Sequence, residues 1–127
     1  MKFPAIVKKQ NERMIAYPRN TEEVSNIVKF SNKNAHKFDV PGAETFFQLQ
    51  NRALAAIRDI YFKHAGQLVA LVSHGALIKT VLAHIEGRHM AQLWTPPQMH
   101  NCAHSIVCVD AEDNYRILQY ADQPYDQ

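Results

Sequence analysis

An α/β fold in one domain is what the sequence predicts, on three observations. Residues 67–73, "QLVALVS", are apolar except at their ends, as a strand buried on both faces of a sheet would be. Amphipathic runs of helical period stand on either side of them. Two β-rich runs, "AHSIVCVDA" and "YRILQYA", then close the chain across the polar link "EDN", which is what an antiparallel hairpin needs. A length of 127 residues with 46% hydrophobic content suits a single domain, 1–127, and is too short for two.

Taken in order, the first seventeen residues give no assignable element. Asn20 and Glu23 have the spacing of a capping box, and Val24, Ile27, Val28 and Phe30 follow at helical intervals, predicting a short helix over 21–30. Residues 31–42, "SNKNAHKFDVPG", read as a loop from their polarity and the closing Pro-Gly. Thr45 and Gln48 form a second capping box. Phe46, Leu49, Ala53, Leu54, Ile57 and Tyr61 then line one face of a long helix ending near Gly66. After the 67–73 strand, residues 76–85 read as a helix with Leu77, Ile78, Val81, Leu82 and Ile85 inward, stopped by Gly87. Pro96 and Pro97 dictate a loop in "LWTPPQMHN". Three strands make a small sheet for helices of this length, which suggests that part of the sheet is supplied from elsewhere.

Charge excludes some partners. Fourteen basic and twelve acidic side chains give a net +2 without a basic stripe or an acidic tail, so no nucleic acid is expected to bind. No apolar run reaches the roughly eighteen residues of a membrane span. Lys8, Lys9 and Glu12 occupy the place of a secretory leader's apolar stretch, so a cytoplasmic setting is expected. Cys102 and Cys108, six positions apart in one strand-like run, would stand about 20 Å apart at about 3.3 Å per residue, too far to bridge.

The chemistry concentrates in "LVALVSHGALIKTVL". His74 lies where the predicted strand turns into a helix, and ligands of open α/β sheets bind at such carboxyl ends of strands, facing unsatisfied helix amides. Gly75 lets the backbone and a ligand approach closely. The helix start favours an anion, and an imidazole there can donate to a phosphate oxygen or titrate near neutral pH. The residues alone leave a second reading open, in which His74 is a strand-end histidine satisfied by a backbone partner.

With its flanks, "LVALVSHGALIKTVLAHIEG" resembles the second-histidine segment of the histidine phosphatase superfamily, the phosphoglycerate mutase-like enzymes. "VPGAETFFQLQNRALAAI" is similar to the family's Pro-Gly-Gly-Glu-Ser segment and the helix after it, with Ala43 for the second glycine, Thr45 for serine and Arg52 where an arginine is usual. "HNCAHSIVCVD" is a third match, in which Asn101 opens a strand. The resemblance implies a partial three-layer αβα sandwich, phosphoglycerate mutase-like, lacking its N-terminal strand and nucleophile segment. It implies phosphoryl transfer or phosphate monoester hydrolysis on a small phosphorylated metabolite, with no cofactor. His74 would be the catalytic histidine that steadies the transferring group, with Gly75 beside it on the phosphate. Ser73, Glu44, Lys79 and Asn101 would support the site from behind, Lys79 standing where many members carry arginine.

No Arg-His-Gly, the family's nucleophile motif, occurs in the chain. Arg88-His89 lies after the Ser-His-Gly segment and is followed by Met90. The resemblance therefore reads as the carboxyl-terminal part of such a domain, begun at an internal methionine and catalytically silent by itself. The missing first strand would leave an apolar edge at 67–73, inviting another copy or an amino-terminal fragment. The alternative is a non-catalytic module that binds a phosphorylated ligand or associates through that edge.

Other constellations carry less. His100, Cys102 and His104 alternate as ligands might, but no fourth ligand accompanies them and no metal is expected. His84 and His89 are five apart with no glutamate directly after the first, unlike a zinc protease helix. Trp94 and Met99 flank the double proline as core-capping residues. The strand-then-"HG" pattern also fits the oxyanion loop of an α/β-hydrolase, but no Gly-x-Ser-x-Gly elbow exists.

Overall fold

The computed structural model describes residues 29–30 and 33–125. Most of the helix predicted over 21–30 lies outside these residues. Within the 31–42 loop, a single 3-10 turn, Ala35–Lys37, buries Ala35, and Phe38 follows it into the core.

Helix α1 (Phe46–His64) starts at the expected capping box. Thr45 Oγ1 accepts from the Gln48 amide at 3.1 Å, and Gln48 Oε1 accepts from the Thr45 amide at 2.9 Å. Two of the four orphan amides of the first turn are thereby satisfied. Its buried stripe runs Leu49, Ala53, Ala56, with Phe46, Leu54, Ile57 and Ile60 at the margins. The stripe is centred on small residues, which lets the next helix pack close. Gly66, at φ +76, turns the chain out of the helix.

Helix α2 (Gly75–Glu86) is the centre of the molecule. Leu77 and Val81 pack on Leu49, Ala53 and Ala56 of α1. Leu82 faces Ile117, Tyr120 and Ala121, and Ala83 faces Ala35, Met90 and Leu93. The sequence marks a single apolar stripe, yet Lys79 and Thr80 are buried as well, so α2 is enclosed on most of its circumference. Gly87 ends it in the left-handed region at φ +68, with the Arg88 amide reaching back to Ala83 O at 2.9 Å.

The sheet is antiparallel, ordered β1 (Ile106–Val109), β2 (Tyr115–Tyr120), β3 (Gln123–Pro124). The hairpin between β1 and β2 is the expected one, with Val107 opposite Ile117 and an irregularity between Ile106 and Val107. Asp110 Oδ1 holds its turn by accepting from the amides of Glu112 and Asn114 at 2.8 and 3.0 Å. Those bonds, Asn114 first, keep the Asp110 carboxyl below its ordinary range. The short β3 was not legible in the sequence. It depends on a tight turn at Ala121 and Asp122, both at positive φ.

The strand expected over 67–73 does not form. The segment between Gln67 and His74 belongs to neither helix nor sheet, and its amides carry no backbone bond among the described residues. Leu68 is 99% exposed and Val72 88%. The apolar pattern is that of a buried strand, but burial needs a neighbouring strand, and among the described residues β1 to β3 pair only with one another. Nor do the two cysteines share a strand. Cys102 lies in a turn at φ +60 ahead of β1, and both thiols are free and exposed.

Candidate active site

His74 is the N-cap of α2, with extended backbone (φ −99°, ψ 154°). Its carbonyl accepts the first helical bond, from Ile78 N at 3.1 Å. Its ring is exposed and makes no hydrogen bond among the described residues, so the reading in which a backbone partner satisfies it falls away. An imidazole free to take a ligand thus stands at the end of a twelve-residue helix where amides lack intrahelical partners. Beside it, Ser73 Oγ is buried with no hydrogen-bond partner, so a donor and acceptor stays unused immediately before the histidine.

Gly75 opens α2, and the reason for a glycine there differs from the expected one. A Cβ added at Gly75 would come within 3.3 Å of Met99 Cγ. The close approach is made by the loop after the double proline, whose Met99 side chain lies against the first turn of the helix. Met99 also packs on the Leu82, Ile117 and Tyr120 cluster, so it links the core to the residue next to His74. Asn101 lies two residues beyond Met99, exposed in the turn before Cys102, and not at the start of a strand as expected.

Glu44 sits just before the α1 cap, its side chain 7% exposed, and pairs with Arg52 two turns along the helix. Arg52 Nη2 donates to Glu44 Oε1 at 2.5 Å, and Nε lies 2.5 Å from Oε2 as an ion-pair contact without hydrogen-bond geometry. No hydrogen bond or ion pair joins this pair to His74 among the described residues. Glu44 is thereby committed to bracing the start of α1.

Lys79 is turned inward. It is 1% exposed, donates to Thr95 O at 2.8 Å and Pro97 O at 2.5 Å, and stands 4.8 Å from the centre of the Tyr120 ring. Burial away from water, with the Arg88 charge nearby, brings its pKa down from 10.5 to about 8, while Glu86 pulls the other way. Arg88 grips the same loop from just past the carboxyl end of α2, donating to Thr95 O at 2.9 Å, Thr95 Oγ1 at 2.7 Å and Pro96 O at 3.2 Å. Sequence reasoning missed Arg88, Thr95, Met99 and Tyr120 as supports.

The histidines further on form no ligand set. His100 Nε2 is 2.6 Å from Asp122 Oδ2, and Asp122 Oδ1 accepts from the His104 amide at 3.0 Å, tying the loop to the β2–β3 turn. The His100 hydrogen bond is the largest influence holding the Asp122 carboxyl below its usual range. Among the described residues no group of three histidine, cysteine or acidic side chains could hold a metal ion.

The family model of the Histidine phosphatase superfamily (branch 1) matches residues 16–123. The chain belongs to the histidine phosphatase superfamily. Among solved structures it is similar to Bacillus stearothermophilus YhfR, with a TM-score of 0.72 and 27% identity over 81% of this chain and 52% of that one. The histidine phosphatase chain described here thus spans about half the length of that relative. No curated protein matches it. Among the described residues no helix is long and apolar enough to cross a membrane.

Proposed function

We propose that the chain supplies the phosphate-steadying part of a phosphoryl-transfer site, with His74 and Gly75 receiving the phosphate of a small phosphorylated metabolite. The reaction is phosphate monoester hydrolysis or phosphoryl transfer. It proceeds through a phosphohistidine on a nucleophile that has no Arg-His-Gly counterpart in these 127 residues. One observation carries the reading. In a Ser-His-Gly of a superfamily member, the ring is exposed and unpartnered at a helix start. The chemistry runs on side chains and needs no cofactor. Two unpaired cysteines support a cytoplasmic setting.

Alone, the chain is catalytically silent in this reading. Its completing partner is a polypeptide carrying the half of the domain that the chain does not match in YhfR. That half docks a strand on residues 68–72, which have no backbone partner among the described residues. Among the described residues the outer edge of β1 is also unpaired, and a second copy pairing through one edge would leave the other open, so a polypeptide like the unmatched half of YhfR suits both edges better. The non-catalytic module is the second reading, favoured by the lack of Arg-His-Gly.

The test uses para-nitrophenyl phosphate. The chain alone should give no turnover; turnover abolished by His74→Ala would overturn the claim of silence. Adding the unmatched part of the YhfR chain should give a one-to-one complex that turns over substrate only when His74 is intact. A complex without turnover would favour the binding module. A homodimer that Val72→Lys dissolves would make the partner a second copy.

A further inference from the structure

We infer that Lys79 and Arg88 are positioning residues for the His74 site: they hold the 92–97 loop by its carbonyls, seating Met99 on Gly75 and confining the space beside His74 to a compact anion. The inference rests on the functional reading above and adds what governs access to that site.

Four backbone carbonyls of this loop face two cations. Thr95 O is shared between Lys79 Nζ and Arg88 Nη1, Pro97 O goes to Lys79, Pro96 O to Arg88 Nη2, and Gln92 O to Arg88 Nη1 at 3.4 Å. The partly buried bonds from Lys79 give Thr95 O and Pro97 O a donor on the inner side of the loop, and Arg88 binds it from the exposed side, so the two cations hold the loop in this shape. Each cation is fixed in turn. Lys79 lies over the Tyr120 ring, and Arg88 pairs with Glu86 at 3.0 Å, which also accepts from the Tyr125 hydroxyl at 2.7 Å. Lys79, one turn inside α2, and Arg88, just past its carboxyl end, therefore act on one loop.

The loop leads directly to the site. Two residues after Pro97, Met99 lies so near Gly75 that a Cβ there would stand 3.3 Å from Met99 Cγ and press it aside by a few tenths of an ångström, and His74 is the next residue back along the chain. Methionine is flexible, so its seat on Gly75 is set by what anchors the loop on either side. Pro97 is anchored by Lys79 before it, and His100 by Asp122 after it. Releasing the first anchor frees Met99 to leave the helix start or to close over His74.

The test is nuclear magnetic resonance of the full chain with labelled methionine methyls, comparing wild type with Lys79→Met, Lys79→Arg and Met99→Ala. The wild-type Met99 methyl should show a through-space contact to the Gly75 α-protons that Lys79→Met loses and Lys79→Arg retains. Inorganic phosphate, followed by the His74 ring protons, should bind about tenfold more weakly in Lys79→Met and near normally in Lys79→Arg, about one charge-assisted bond's worth of positioning. A Met99–Gly75 contact that survives in Lys79→Met overturns the inference, whatever phosphate does. Loss of that contact with no His74 response to phosphate in any variant supports the clamp and overturns the functional reading instead. Should Lys79→Met not fold, Met99→Ala decides, since it leaves both cations in place. Phenyl phosphate should gain on inorganic phosphate when the Met99 side chain is removed, and an unchanged preference would overturn the proposal.

Discussion

At its carboxyl end α2 is closed: Gly87 turns the chain, the Arg88 amide returns a hydrogen bond to Ala83, and the Arg88 side chain, together with the buried Lys79 from within the helix, holds the following loop. At its amino end the helix is open. His74 has no side-chain partner, Ser73 Oγ has none, and the five residues before them expose Leu68 and Val72 almost fully. One helix thus has a finished end and an unfinished end. The finished end is sealed by groups within the chain; the unfinished one presents what a ligand or a further strand would complete. Unsatisfied polar groups beside exposed apolar residues are costly unless something covers them, and the chain spans about half of its solved relative.

The contrast can be broken first in the closed half. Leu82→Ala removes a side chain 1% exposed between α2 and β2, and chemical denaturation should show a loss of about 3 kcal/mol. A loss under about 1 kcal/mol would mean that this half is not the packed one.

The next effect is the pH dependence at Lys79. Its folded pKa, about 8, lies below its unfolded 10.5, so between these values the unfolded chain holds more protons. Stability from this group therefore rises as pH goes from about 8 to 10, by about 2 kcal/mol. Arg88, Glu86, Tyr120 and Tyr125 face the ammonium or its loop. Burial pushes Tyr120 up to about 12, so it keeps its proton in that window, and burial with the Glu86 hydrogen bond moves Tyr125 upward as well. Lys79→Met should flatten the profile, and equal slopes in the two proteins would contradict the assignment.

The smallest effect belongs to the open half. Val72→Ser should leave unfolding free energy within about 0.5 kcal/mol of wild type, because the side chain touches little. Hydrogen exchange sharpens the same point: amides of residues 68–72 should exchange near the unprotected rate while those of 79–83 are strongly protected. Protection at 68–72 in the isolated chain would reveal a neighbour already in place.

What could be read from the sequence was local. Thr45 with Gln48 and Gly87 after Ile85 announce the limits of α1 and α2 because capping geometry involves residues a few positions apart. The β1–β2 hairpin follows from two β-rich runs and a short polar link. His74 could be singled out by its neighbours, and its ring is exposed. Lys79 could not be placed, because its partners are carbonyls sixteen and eighteen residues away, and side-chain identity says nothing of backbone acceptors. Gly75 was read as making room for a ligand; that the direction of its absent Cβ faces Met99, twenty-four residues on, could not be read from the sequence. The 67–73 segment has the composition of a buried strand, but composition specifies a need for burial and not the strand that meets it.

The most direct test of the account is a phosphate titration of the chain followed at the ring protons of its seven histidines. The account predicts a saturable shift at His74, with small responses at His100 and His104, which are tied to the β2–β3 turn. A His74 signal that stays fixed, or moves no more than the other exposed histidines, would contradict the claim that this ring is presented to an anion.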